Sequence, residues 1–136
     1  MKNIIVLCNW NSCRSQLAEA YLQFFWKEKF NVVSAWINPK WIHPLTIDVL
    51  KEDWIDFSNK KSKHINEFLD KKFDYIITVC DKAKENCPFF PWNWKRIHKS
   101  FKDPDSFKWN YDEKINFFRK IRDEIKNFSK EFVINN

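Results

Sequence analysis

The sequence predicts an α/β fold built on a parallel β-sheet. Short apolar runs alternate with stretches of helical spacing, two of those runs end on a cysteine, and the first leads through a five-residue loop straight into a helix. At 136 residues the chain is read as one domain, 1–136, long enough for one substantial core. With 44% hydrophobic and 31% charged residues it reads as soluble and globular.

The elements follow in order. Ile4-Ile5-Val6-Leu7 is a buried strand that ends at Cys8. Gln16 to Phe25 is a helix, because Leu17, Ala18, Ala20, Tyr21, Phe24 and Phe25 recur at helical spacing. Phe30 to Ala35 is a second strand. Residues 36–43 form a turn-rich loop, and Pro44 suits the first position of a helix to Asp53. Ile55 to Ser62 is irregular, with Ser58 and Ser62 as candidate caps. His64 to Leu69 is a short helix with Ile65, Phe68 and Leu69 inward. Phe73 to Val79 is the clearest strand and ends at Cys80. Asp81 to Asn86 is a short helical segment ending at Cys87-Pro88. Lys95 to His98 is a weaker fourth strand. After the Asp103-Pro104 turn, Tyr111 to about Val133 is a long amphipathic helix with Ile115, Phe118, Ile121, Ile125 and Phe128 on one face. Right-handed crossovers between parallel strands put every strand's carboxyl end on one edge, where ligands bind in such sheets. Cys8 and Cys80 both sit there, within reach of each other.

The stretch Cys8-Asn9-Trp10-Asn11-Ser12-Cys13-Arg14-Ser15 carries the chemistry. A loop wrapped round a helix N-terminus points several backbone N–H groups at one spot, and the helix dipole favours an oxyanion there. Arg14 can add a bidentate fork to two oxygens of a tetrahedral anion. The same field is expected to lower the pKa of Cys8 and keep it as the attacking thiolate, with the Ser15 hydroxyl donating to the sulfur. Cys13 is expected to face the core as a small apolar residue.

The charge of +6, from 24 basic and 18 acidic residues, favours anionic partners. Small anions suffice, because no run of like charge suggests a nucleic-acid arm. The N-terminal apolar run is far too short for a signal-peptide core or a membrane span. A reducing, cytoplasmic compartment is therefore expected, where four cysteines serve catalysis or metal binding before structural disulfides.

One compositional fact is abnormal: the chain has no glycine and eight tryptophans, where average usage predicts on the order of ten glycines. Trp26 and Trp54 follow helices, at C′ positions that favour a left-handed residue. Trp36, Trp41, Trp92, Trp94 and Trp109 lie in Pro- and Asn-rich turns, and Trp10 lies in the anion loop. We read these positions as glycine in the functional protein, through a UGA codon assigned to glycine by the organism. The Lys, Asn, Ile and Phe richness fits an AT-rich genome in which such reassignment arises.

Cys80 and Cys87 do not match the paired C-x2-C knuckles of structural zinc, and no histidine completes a tetrahedral set, so no metal is expected. Successive disulfide exchange suits a thiol at a strand end and another in a loop. Asp103 could protonate an oxygen leaving group. His43 and His64 are read as surface or capping residues and His98 as a strand residue, none a convincing base. Asn11, Glu19 and Ser34 could form a polar network bracing the loop, with Lys63 supplying a positive charge beside it.

Together these residues resemble the thioredoxin-coupled arsenate reductases, which share the fold of the low-molecular-weight protein tyrosine phosphatases. The likeness covers nearly the whole chain: Cys8 to Ser15, Ser34-Ala35, Asp74 to Asp81, Ala83 to Pro88 and Phe101 to Pro104. It implies a four-stranded parallel sheet in order 2-1-3-4 with helices on both faces. It implies that Asn9, Trp10, Asn11, Ser12, Cys13, Arg14 and Ser15 bind arsenate or phosphate, that Cys8 attacks, and that Asp103 protonates the departing oxygen. Cys80 would then take over the oxidation as a Cys8–Cys80 disulfide, and Cys87 as a Cys80–Cys87 disulfide in a segment that loops outward. Reduced thioredoxin would reopen it, with no bound cofactor, no nucleic-acid or membrane partner, and a monomeric chain, in the service of arsenic detoxification. In that family a glycine stands at the position of Trp10. The rival enzyme is a low-molecular-weight phosphatase, which has no use for the Cys80/Cys87 pair and usually carries tyrosines where this chain has Asp105-Ser106-Phe107. A non-catalytic oxyanion-binding or redox-sensing module is the reading if Trp10 is a real tryptophan.

Overall fold

The computed structural model describes residues 2–26, 28–88, 90, 94–106 and 110–136, with Trp26 as main chain only. Trp92, Trp109 and Phe107 lie outside the described residues. Four strands, β1 (Lys2–Leu7), β2 (Phe30–Ala35), β3 (Tyr75–Thr78) and β4 (Lys95–His98), form one sheet in the order β2-β1-β3-β4. Every pairing is parallel. Ile4, Ile5, Val6 and Leu7 are all fully buried, as a central strand covered on both faces requires.

The helices are α1 (Arg14–Trp26), α2 (Pro44–Lys51), α3 (Asp81–Glu85) and α4 (Tyr111–Asn135). α1 packs against α4 and β2, and α2 packs against α4. α4 buries Ile115, Phe118, Ile121 and Ile125 as its spacing predicts, with Phe128 half-buried at the edge. Phe24, read as an inward position of α1, is exposed. None of the helices among the described residues is long and apolar enough to cross a membrane.

Several boundaries differ from expectation for local reasons. The helix expected over His64–Leu69 is a 3-10 turn, Ile65–Glu67, which His64 caps by accepting the Asn66 N–H at 3.0 Å while Glu67 accepts the His64 N–H. β3 begins at Tyr75 because Asp74 turns to β1, its carboxylate accepting the Asn3 N–H at 2.8 Å. His43 caps α2, its Nδ1 accepting the Leu45 N–H.

The tryptophan positions divide. Trp54 has φ 63°, and the bonds Trp54 N–H to Lys51 O and Ile55 N–H to Leu50 O make it the left-handed residue of a Schellman closure. Its side chain is 94% exposed. Trp10 has φ 71°. Trp26 is instead the last residue of α1, because the helix runs one residue beyond its predicted end. Trp36 is buried and forms an isolated parallel bridge to His64 just past β2, Trp41 is exposed, and Trp94 donates its indole N–H to Phe90 O. The positive-φ requirement for glycine therefore holds at Trp10 and Trp54, and not at those other described positions.

Candidate active site

Sheet register brings the cysteines together. Leu7 pairs with Thr78, and the Val79 N–H donates to Leu7 O, so Cys8 and Cys80 leave adjacent strands side by side. The Asn9 N–H donates to Cys80 Sγ at 3.2 Å, which seats the second sulfur one residue from Cys8. Cys80 also caps α3 by accepting the Ala83 N–H at 3.4 Å. Cys87 follows α3, half-buried, with Sγ 3.5 Å from Pro88 O.

Cys8 Sγ is hydrogen-bonded to Ser15 Oγ at 3.1 Å and accepts the Ser15 N–H at 3.3 Å. Asn11 holds that serine in place, its Nδ2 donating to Ser15 Oγ at 2.7 Å. Asn11 is itself fixed by Gln16 Nε2 on its Oδ1 and main-chain O, by Ser62 Oγ on its main-chain O, and by the Lys63 N–H on its Oδ1. Ser62 is therefore a brace of the loop and not a helix cap. The expected network is present beside it: Ser34 Oγ donates to Glu19 Oε1 at 3.0 Å and Lys63 Nζ lies 3.3 Å from the same oxygen.

One expectation about the loop fails. Burial of the fully enclosed Cys8 pushes its pKa up, outweighing the Arg14 guanidinium and the two Ser15 bonds that pull it down. The sequence reading weighed only the attractive field and missed the desolvation of a charged sulfur. Two of the loop's N–H groups already have partners. Asn9–Asn11 forms a 3-10 turn with the Asn11 N–H on Cys8 O, and the Asn9 N–H is engaged by Cys80. The Ser12 hydroxyl donates to Trp41 O. Cys13 is buried as expected, which pushes its thiol up to about 12.

Above the loop lies a cavity of about 190 Å³, lined by Asn9, Trp10, Ser12, Cys13 and Arg14 and faced by Lys40, Asp103 and Asp105. Cys8 and the buried Asn11 and Ser15 are not among its lining. Arg14 is buried, donates Nη1–H to Phe101 O at 3.1 Å, and places Nη2 3.9 Å from Asp103 Oδ2. Phe101 is brought there by β4 pairing continued through Lys99 N–H to Thr78 O and Phe101 N–H to Val79 O. Asp103 Oδ1 accepts the Asp105 N–H in the Asp-Pro turn.

Lys40 and Asp105 were not found from sequence. Lys40 stacks its ammonium 4.0 Å from the Trp10 ring centroid and donates its N–H to Trp10 O. Asp105 bonds His43 Nε2 at 3.1 Å and Lys114 Nζ at 2.7 Å. A lysine after Asn-Pro and an aspartate after Asp-Pro are ordinary loop residues, and only the tertiary placement sets them against the cavity.

The model for low molecular weight phosphotyrosine protein phosphatases matches residues 3–135. The chain belongs to that family. Within it, an arsenate reductase of Bacillus subtilis (strain 168) is 38% identical over 132 residues, covering 97% of this chain and 95% of that protein. An arsenate reductase of Staphylococcus aureus (strain N315) is 38% identical over 133 residues, covering 98% and 97%. Among solved structures, an arsenate reductase in an oxidized state superposes with a TM-score of 0.81 at 26% identity, covering 99% of this chain and 98% of that one. Another, in a phosphate-binding state, gives 0.77 at 27% identity with the same coverage. The parallel α/β sheet that the sequence predicts is thus present, in the strand order 2-1-3-4 that the resemblance implies.

Proposed function

We propose that this chain reduces arsenate to arsenite by a three-cysteine thiol–disulfide relay regenerated by reduced thioredoxin. The observation that carries the reading is Cys80 Sγ held 3.2 Å from the Asn9 N–H, beside Cys8, at the shared edge of β1 and β3. A hydrolytic phosphatase has no step for that sulfur. The small cavity, about 190 Å³, suits an inorganic oxyanion, and the arsenate reductases named above are similar over nearly the full chain.

In this mechanism the loop N–H groups and Arg14 receive arsenate, which competes with Asp103 for the guanidinium. The arsenate dianion is a base and takes the Cys8 thiol proton as it binds, so burial no longer keeps the sulfur protonated. Cys8 Sγ forms a bond to arsenic as one As–O bond breaks, and the hydroxide that leaves departs as water with the proton taken from Cys8, which the Asp103 carboxylate relays to it. Cys80 then attacks Cys8 Sγ. The S–As bond breaks with its electron pair going to arsenic, arsenite departs carrying the Cys80 proton on an oxygen, and Cys8–Cys80 is the two-electron oxidised product. Cys87 attacks Cys80 Sγ, Cys8 leaves as thiolate, and the disulfide becomes Cys80–Cys87. Thioredoxin's dithiol takes up that disulfide and is oxidised in turn.

The test is arsenate-dependent oxidation of NADPH in the presence of thioredoxin and its reductase. Turnover that requires arsenate and thioredoxin supports the relay. Hydrolysis of aryl phosphates without arsenate turnover identifies the phosphatase alternative. Oxyanion binding with neither activity identifies a binding or sensing module, as a side chain at Trp10 that blocks the loop would produce.

A further inference from the structure

Glu19 is a carboxylate only 2% exposed, on α1, that takes no part in the chemistry above. Its Oε1 accepts from Ser34 Oγ at 3.0 Å and meets Lys63 Nζ at 3.3 Å. Lys63 is unusual in gripping the structure at both ends. Its ammonium neutralises Glu19, while its main-chain N–H donates to Asn11 Oδ1 at 2.9 Å. Its carbonyl accepts the Trp36 N–H at 3.1 Å, which ties the same residue to the end of β2. From Asn11 the bonds run on through Nδ2 to Ser15 Oγ and so to Cys8 Sγ.

We propose that Lys63 is a positioning residue for the anion loop: its ammonium, clamped by Glu19, fixes the main chain that orients Asn11 and Ser15 around Cys8. A buried carboxylate without its partner is a costly, uncompensated charge, whereas removal of both charges together is tolerated far better. The clamp therefore predicts a specific sign of coupling. Lys63→Met leaves Glu19 unpaired, pulls segment 61–64 away from Asn11 and loosens the loop. Lys63→Arg keeps a cation within reach of Glu19 and retains the loop. Glu19→Gln combined with Lys63→Met removes the uncompensated charge and recovers much of what Lys63→Met loses.

The inference rests on Cys8 being the thiol of an oxyanion loop, but not on arsenate turnover, so its readouts are chosen outside the relay. Inorganic phosphate binding is titrated by calorimetry, and Cys8 alkylation by iodoacetamide at fixed pH is followed by peptide mapping, with and without phosphate. Lys63→Met is expected to weaken phosphate binding by about tenfold, or ~1.4 kcal/mol, and to remove phosphate protection of Cys8. Lys63→Arg is expected within about threefold of the parent chain, and the double variant, which lacks the clamp but buries no unpaired charge, between Lys63→Met and the parent. Circular dichroism and a thermal melt accompany each variant. If Lys63→Met does not fold, the double variant carries the test, because a charge clamp requires it to fold and bind. The proposal is overturned if Lys63→Met binds phosphate like the parent, or if the double variant is no better than Lys63→Met or fails to fold.

Discussion

Cys80→Ser is expected to abolish catalytic turnover while leaving the anion site in place. On the proposed relay, Cys8 still forms its bond to arsenic, but the sulfur held beside it is gone. The serine that replaces Cys80 cannot accept the oxidation, because a hydroxyl forms no disulfide. In the thioredoxin-coupled assay the rate should fall by roughly a thousandfold or more, as when a covalent step loses its nucleophile. Phosphate binding should change little, since Cys80 lies outside the cavity lining and the serine hydroxyl can still accept the Asn9 N–H. The split matters. Loss of turnover with retained binding separates a relay sulfur from a structural one, and a Cys80→Ser chain that still turns over would remove the relay.

The second large effect concerns the tryptophans. Trp10→Gly and Trp54→Gly relieve the two positions where a tryptophan holds positive φ, 71° and 63°. A left-handed conformation costs a non-glycine residue about 1–2 kcal/mol, so each change should raise the melting temperature by a few degrees, roughly 3–6 °C. At Trp54 the gain is offset by little lost burial, because that side chain is 94% exposed. At Trp10 the change also clears a ring from the cavity wall, where it lies against Lys40, and gives the closed 3-10 turn freedom to open over Cys8. Trp10→Gly should therefore tighten phosphate binding by about tenfold or more, an expectation set by the size of one well-made charged hydrogen bond. An intact mass of the protein from its native host addresses the same point without mutagenesis. A mass that includes eight tryptophans would sink the reassignment, and stability unchanged by Trp54→Gly would show that its backbone carries no strain.

Much of the fold was legible because it rests on local pattern. β1 and β2 are uninterrupted or alternating apolar runs, and β2 was bounded correctly at Phe30 and Ala35. Cys8 and Cys80 were legible as neighbours because parallel strands end on a common edge, and the register Leu7 to Thr78 is the physical form of that argument. Trp54 was legible as a left-handed helix end from what precedes it. The polar brace was readable in part, since Asn11, Glu19, Ser34 and Lys63 meet as expected. Gln16 was not, because a glutamine in the first turn of a helix gives no sign of reaching back to the loop. Lys40 and Asp105 were missed for a similar reason: they approach the cavity across the fold. The protonation of Cys8 was misjudged because burial is a tertiary property, and it outweighs Arg14 and Ser15 only once the sulfur is fully enclosed. Local pattern thus carries the scaffold and the order of the sulfurs, while the electrostatics of the pocket belong to the packed structure.

The central claim is the direction in which oxidation moves, and disulfide mapping tests it most directly. The reduced protein is given arsenate without thioredoxin, quenched with an alkylating agent, and its disulfides are located by peptide mass spectrometry. The account predicts Cys80–Cys87 in the parent chain with Cys8 alkylated, and Cys8–Cys80 in a Cys87→Ser variant. Arsenite formed with Cys80 fully alkylated in both would contradict it.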